Sequence, residues 1–224
     1  MISVIIPTMW KHDEFRKTLS NILIDTLVSE VIIINNDVNN KPDYKILSHD
    51  KIKIYDFQEN IYVNPAWNFG VEKAKNNILA FISDDVEFDT RVFRKVYDLI
   101  SSTENVGFIG VLTRYLHEYG EIYDRHFTDG SIEIIDNFPT STFGALFFMT
   151  KESWKPIPND LKIVNGECLQ INRCYHLQKK NFMVVNCRST SPWHVTLKTM
   201  PQSMIDKDNA LFEKINNDGV WTQT

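Results

Sequence analysis

The stretch ILAFISDDVEF, residues 78–88, decides the fold. Ile78 to Ile82 run without a charge, the pattern of a strand covered on both faces in a parallel α/β sheet. The run ends in Ser83 and two adjacent carboxylates, Asp84 and Asp85, with Glu87 just beyond. Ligands of such sheets bind at the carboxyl ends of the strands, so these acids stand where chemistry is done. Hard oxygen ligands there suit Mg2+ or Mn2+, and an ion held by one or two carboxylates completes its shell with substrate phosphates. The same acids would also suit the start of a helix near Arg91, where negative charge is favourable. The residues alone leave both readings open.

Working toward the N-terminus, the chain alternates strand and helix patterns, as βαβ units do. SVIIP (3–7) predicts a first strand and EVIIIN (30–35) a second, with a polar loop, NNDVNNKPD, at its end. Between them, Phe15, Leu19, Ile22, Leu23 and Leu27 recur at helical spacing. KIKIYDF (51–57) predicts a third strand, and PAWNFGVEKAKNN (65–77) a short helix with proline in its first turn. Beyond the acids, RVFRKVYDLISS carries the stripe Val92, Val96, Leu99 and Ile100. The second half is less regular. VGFIGVLTRYL, EIYDRHF and SIEIID predict strands or a hairpin, FGALFFMT (143–150) a buried strand, GECLQINRCYHLQKK a helix, and Ser203 to Ile215 a terminal amphipathic stretch.

Composition narrows the function. With 224 residues, 43% of them hydrophobic and 12% aromatic, the chain fills a core without staples. Cys168, Cys174 and Cys187 make an odd number with no CxxC pair, against a disulfide framework or zinc knuckle and in favour of a reducing, cytoplasmic setting. The opening MISVIIPT has no basic region or long apolar run, so neither a signal peptide nor a membrane span is expected. A net charge of -5 argues against a surface that holds nucleic acid chiefly by neutralising phosphates. No linker rich in Pro, Gly or Ser divides the sequence, which predicts a single domain.

Several segments, in order, resemble the family 2 glycosyltransferases of the GT-A fold. SVIIPT at 3–8 resembles the family's opening strand, and EVIIINND at 30–37 resembles its second strand ending in an acidic loop. ENIYVNPAWNFGVEKAK (59–75) resembles the pattern N-x-G-x-x-x-A-x-N-x-G-x-x-x-A, with Asn60, Ala66, Asn68, Gly70 and Ala74 matching. Tyr62 replaces the first glycine, and Trp67 stands where arginine is frequent. ISDDVEF resembles the metal-binding strand end, FGALFFMTKESW an acceptor-side strand, NGEC the segment with a Glu-Asp pair, and WHV with NALFEK a late histidine and closing helix.

The resemblance implies an α/β, Rossmann-like GT-A fold with a mostly parallel sheet flanked by helices. About 1–110 would bind the nucleotide sugar and about 111–224, a smaller part, the acceptor. It implies a sugar passed from a nucleotide-diphosphate donor, UDP-linked by preference, to a glycan or a modified nucleic acid base, with Mn2+ or Mg2+ as cofactor. By register Asp85 is the direct metal ligand, with Asp84 in support and Ser83 replacing the first acid of the family's triplet. A shifted pair, Asp85 with Glu87, stays open. His194 is the second metal candidate and Lys198 a weaker contact to the diphosphate. Thr8, Asn35, Asn36 and Asp37 occupy the nucleotide-reading places, while Asn60 and Asn68 orient the loop over the donor. Trp67 either stacks on a ring or belongs to the core. Cys168 takes the usual place of the catalytic Asp, and a thiol near its ordinary pKa is a poor base at neutral pH. Glu167 beside it is therefore the candidate base or else a helix cap, with Asp160 in reserve. Two rival functions remain: an inactive nucleotide-sugar or carbohydrate binder, and a transferase that makes the activated sugar. The latter normally has a glycine-rich loop after strand one, and PTMWKHDEF has no glycine.

Overall fold

A computed structural model describes residues 1–13, 15–116, 133–135, 144–192 and 200–219. An eight-stranded sheet runs through it. In chain order the strands are β1 (Ile2–Thr8), β2 (Val28–Asn35), β3 (Ile52–Asp56), β4 (Ile78–Ile82), β5 (Glu87–Phe88), β6 (Val106–Val111), β7 (Arg114–Leu116), β8 (Glu133–Ile135), β9 (Leu146–Thr150), β10 (Lys180–Val185) and β11 (Ser189–Pro192). The helices are α1 (Phe15–Ile24), α2 (Val63–Lys73), α3 (Arg91–Ser102), α4 (Gly166–His176) and α5 (Gln202–Asp218). Strand order in the large sheet is β3-β2-β1-β4-β9-β6-β10-β8, and a smaller sheet orders β5-β11-β7.

Six of the eight large-sheet strands point the same way; β9 and β8 run against them. Alternation along each strand divides the apolar residues between two faces. Val4, Ile6, Val31, Ile33, Ala80 and Ile82 pack with Phe15, Leu19 and Ile22 of α1 and Val92, Phe93 and Val96 of α3. Ile5, Ile32, Leu79, Phe81 and Phe147 pack on the other face with Ala66, Trp67 and Val71 of α2 and Leu169 of α4. Helices thus cover both faces, which is why β1, β2 and β4 carry apolar runs, Val4–Ile6, Val31–Ile34 and Ile78–Ile82, instead of alternating.

Gly70 lets α2 lie close on the sheet: a β-carbon there would fall 2.4 Å from Ile5 Cγ2. The antiparallel β9 is wedged in place by aromatics. Phe147 stacks on Phe81 with centroids 4.5 Å apart and on Phe108 at 4.8 Å, and Phe81 stacks on Trp154 at 4.7 Å. Trp67 is 4% exposed and meets Phe147 and Phe81 edge-on, so it belongs to the core. The boundaries of α2 shift from expectation. The helix starts at Val63, two residues before Pro65, because the chain turns sharply at Tyr62. The expected strand EIYDRHF lies outside the described residues, as do His194 and Lys198.

Topology selects the position of the site. From β1 the chain lays β2 and then β3 outward on one side, and β4 returns to pair with β1 on the other. Strand order reverses between β1 and β4, and a crevice opens at the carboxyl ends of two strands separated in this way.

Candidate active site

Thr8 ends β1 and Asp84 follows β4 by two residues, so both stand at that crevice. The Thr8 hydroxyl donates to Asp84 Oδ2 at 2.6 Å and accepts from the Trp10 N–H at 2.9 Å. Burial pushes the Asp84 carboxyl above the ordinary carboxylate range, against the pull of the Thr8 hydroxyl, nearby His12 and the Met9 N–H. Asp85 is pushed up to about 6, first by burial and next by the charge of Asp84, with His12 and the Ser191 hydroxyl of β11 pulling the other way. Two half-buried carboxylates crowded together, neither paired with a lysine or arginine among the described residues, form a site that a cation relieves. The donor set is all oxygen, which fits Mg2+ or Mn2+. Among the described residues no group of three or more His, Cys, Asp or Glu side chains gathers to hold a metal.

Helix capping does not explain the pair. Asp89 accepts from the Arg91 N–H at 2.9 Å in the first turn of α3. Glu87 forms an ion pair with Lys17 at 2.7 Å and does not join Asp85.

The strand ends beside the acids are tied together by amides. Asn35 Oδ1 accepts from Trp10 Nε1 at 2.7 Å and from the Asp37 N–H at 3.0 Å, and its Nδ2 donates to Asp56 at 2.7 Å. Asp56 also pairs with Lys41 at 2.9 Å, and its carboxyl is held below the usual range first by Asn35 and then by Lys41. Asp37 accepts from the Asn39 N–H and Asn40 Nδ2, closing a local turn. Asn36 Oδ1 accepts from the Ile61 N–H at 3.2 Å, bringing the loop before α2 against the end of β2.

That loop is strained. Asn60 Oδ1 accepts from the Tyr62 N–H at 2.7 Å, and its Nδ2 lies 3.6 Å from Met9 Sδ. Tyr62 has φ 68° and ψ 175°, a region that essentially only glycine occupies. The glycine of the resembling pattern is missing here, yet its backbone shape is kept. Asn68 faces away from the crevice, exchanging two hydrogen bonds with the backbone of Ile157 at 2.7 and 2.9 Å.

Glu167 lies against Gly144, in the segment that leads into β9. It lies in the first turn of α4, where a β-carbon on Gly144 would be 3.1 Å from its Oε1. The next residue, Ala145, accepts from the Ser83 N–H at 2.8 Å, so this carboxyl and the acid pair flank the same junction of β4 and β9. Burial raises the Glu167 carboxyl above its ordinary value, with only its own N–H opposing. Burial, then Glu167, pushes the Cys168 thiol up to about 12, which keeps it protonated at neutral pH. Asp160 is exposed on a turn. All three cysteines are free thiols.

The model of the family described as glycosyl transferase family 2 matches residues 3–158, more than half of the chain and every strand end just described except β11. The chain belongs to glycosyl transferase family 2. The fold of this family 2 glycosyltransferase agrees with two solved structures. One is the crystal structure of GalNAc-T7 with UDP, GalNAc and Mn2+: TM-score 0.64, 14% identity, 90% of this chain covered and 45% of that one. The other is TarS of S. aureus, residues 1–349: TM-score 0.59, 12% identity, 85% of this chain and 60% of that one. At these identities the likeness is one of fold, and the chain spans about half the length of the structures it matches. No curated protein matches the sequence closely enough to count as a relative. No helix among the described residues is long and apolar enough to cross a membrane.

Sequence reading missed Asp56, His12 and Ser191. Asp56 had a signal, an acid closing a predicted strand. His12 and Ser191 had none, since they reach the acids from distant loops and strands.

Proposed function

We propose that this family 2 glycosyltransferase moves a sugar from a nucleotide-diphosphate donor, UDP-linked, to an acceptor hydroxyl in a metal-dependent displacement. The observation that carries the reading is the crowded pair Asp84 and Asp85 at the switch point, with Asp85 pushed up to about 6 by burial and by the charge of Asp84. A divalent cation held at Asp85 would supply Lewis-acid neutralisation of the departing diphosphate. His194 is proposed as a further ligand, supported by Ser191 contacting Asp85 three residues earlier in the chain. The GalNAc-T7 crystal structure with UDP, GalNAc and Mn2+ is consistent with this choice of cation and donor.

The protein residues divide the remaining work. Thr8 holds Asp84, which restrains Asp85 through the adjoining backbone. The amides of Asn35 and Asn36 fix the strand ends, leaving Asp37, Asp56 and the loop at Asn60 to line the nucleotide side, the proposed 1–110 half. Glu167 removes the proton of the acceptor hydroxyl as its oxygen bonds to the anomeric carbon, and the bond to the diphosphate oxygen breaks with its electron pair leaving on the nucleotide. Burial makes Glu167 the stronger base once ionised. Cys168, held protonated, leaves that role to it. The acceptor is a glycan in preference to a DNA base, because the net charge of -5 disfavours a phosphate-binding surface.

The test is a screen of nucleotide sugars by thermal shift with and without Mn2+, followed by assay of nucleotide release. A ligand at a hundred times its Kd adds about 2.7 kcal/mol of stability. Mn2+-dependent stabilisation by one donor and slow release of its nucleotide support the enzyme. Binding without release across donors and acceptors supports an inactive binding module.

A further inference from the structure

Asp208 sits in the middle of α5 and is 1% exposed. Its carboxylate accepts three consecutive backbone N–H groups: Lys162 at 3.0 Å, Ile163 at 2.6 Å and Val164 at 3.0 Å. Successive amides converging on one anion make a nest, and the charge makes each bond stronger than a neutral one. Those three residues are the approach to α4. The neighbouring Asn165 holds φ at +63°, a left-handed turn that starts the helix, and its Nδ2 donates to Asn209 Oδ1 at 2.8 Å. α5 therefore grips the entry to α4 at two adjacent residues.

The far side of the same segment is gripped by α2. Asn64 N–H donates to Lys162 O at 3.0 Å and Asn64 Nδ2 to Val164 O at 3.3 Å. The Asn64 amide fills the space a side chain on Gly166 would need, since a β-carbon there would fall 2.1 Å from its Oδ1. Glu167 follows immediately. Its position is thus set by a three-residue segment clamped on one side by Asn64 and on the other by the charge of Asp208.

We infer that Asp208 is a positioning residue for Glu167, acting through the backbone of Lys162–Val164, and that its role is to aim that carboxyl at the acceptor hydroxyl. The inference rests on the reading of Glu167 as the base. Asp208 lies in a helix outside the matched residues 3–158 and touches neither the acid pair nor Glu167. A misplacement of about 1 Å at a reacting group can cost on the order of a hundredfold in rate, which is the scale of effect a clamp of this kind controls.

The experiment compares Asp208→Asn, Asp208→Glu, Glu167→Gln and the double variant Asp208→Asn with Glu167→Gln. The full chain is used with Mn2+ and the nucleotide sugar found in the donor screen. Expected for Asp208→Asn are transfer slowed about a hundredfold, donor Kd within about twofold of wild type, and faster amide exchange at residues 162–164. Asp208→Glu keeps the charge and recovers part of the rate. The double variant is no slower than Glu167→Gln alone, because residues acting through one another do not add. Should Asp208→Asn not fold, Asn209→Ala cuts the adjacent grip at Asn165 and gives the same pattern at smaller size.

Wild-type transfer by Asp208→Asn, an equal slowing in the Glu167→Gln background, or rate and donor affinity lost in equal proportion overturns the inference. Failure of the underlying reading is separately visible. A wild-type enzyme that transfers sugar as fast as Glu167→Gln removes the base role before any Asp208 variant is made, and the positioning role with it.

Discussion

The hydroxyl of Thr8 and the Oδ2 of Asp84 are 2.6 Å apart, although 76 residues separate them in the chain. This bond spans the place where strand order reverses and stabilises a charge that burial opposes. Replacing Thr8 with valine keeps the volume and removes the donor. Hydrogen bonds to charged groups contribute about 1.5–3 kcal/mol, so the Mn2+ concentration for half-maximal nucleotide binding should rise about tenfold or more. Calorimetric titration of UDP at several Mn2+ concentrations measures it. An unaltered metal curve would remove Thr8 from the site.

Tyr62 pays for its backbone shape. A residue in that region costs on the order of 1–3 kcal/mol, and a glycine there costs about 0.5–1 kcal/mol in unfolded-state freedom. Tyr62→Gly should therefore gain about 1 kcal/mol, raising Tm by about 2–4 °C. Tyr62→Ala retains the strain, loses the ring and should melt below wild type. A lower Tm for the glycine variant would show that contacts of the ring, including Lys162 Nζ 5.9 Å from its centroid, outweigh the strain.

Glu30 is 3% exposed and accepts from Ser3 at 2.6 Å, Lys53 at 2.5 Å and the Lys75 N–H at 2.6 Å. Burial raises its pKa, but Lys53, Ser3 and the Lys75 N–H together outweigh it, and the net shift is downward. A carboxyl lowered on folding contributes stability above its unfolded pKa and loses that contribution as pH falls through the folded value. The urea midpoint should accordingly decline as the pH drops below about 4.5, the ordinary value of a glutamate in the unfolded chain. Glu30→Gln should lose about 1–3 kcal/mol at pH 7 and flatten this acid limb. A limb of the same depth in the variant would assign acid sensitivity to other carboxyls.

His194 lies outside the described residues, and its proposed ligation is tested by metal dependence. His194→Ala should raise the Mn2+ requirement for nucleotide release while leaving Tm without metal unchanged. A wild-type Mn2+ curve together with a lowered Tm would make it a structural residue.

Much of the N-terminal half could be read from the sequence because burial on both faces leaves a strong signal. β1, β2 and β4 are apolar runs, and Asp84 and Asp85 interrupt the last of them where its strand ends. The reversed direction of β9 was not legible: LFFMT reads the same in either direction, and stacking of Phe147 on Phe81 and Phe108 is a tertiary fact. The residues alone left open whether Asp84 and Asp85 serve the start of α3, and the Arg91 N–H there donates to Asp89, an acid the sequence reading did not single out. Asn68 matched a pattern, yet its amide is engaged with Ile157, a partner 89 residues away. Asp208 gave no signal at all. A lone Asp in a polar helix looks solvated unless the loop that folds onto it is known.

The central claim is that a cation at Asp85 joins this protein to a nucleoside diphosphate. It is tested most directly by titrating UDP into wild type and Asp85→Asn, with Mn2+ and with chelator, alongside circular dichroism to confirm that the variant is folded. The account predicts UDP binding that needs Mn2+ in wild type and weakens at least about tenfold in folded Asp85→Asn, a change of about 1.4 kcal/mol. Equal, Mn2+-dependent affinity in the two proteins would contradict it.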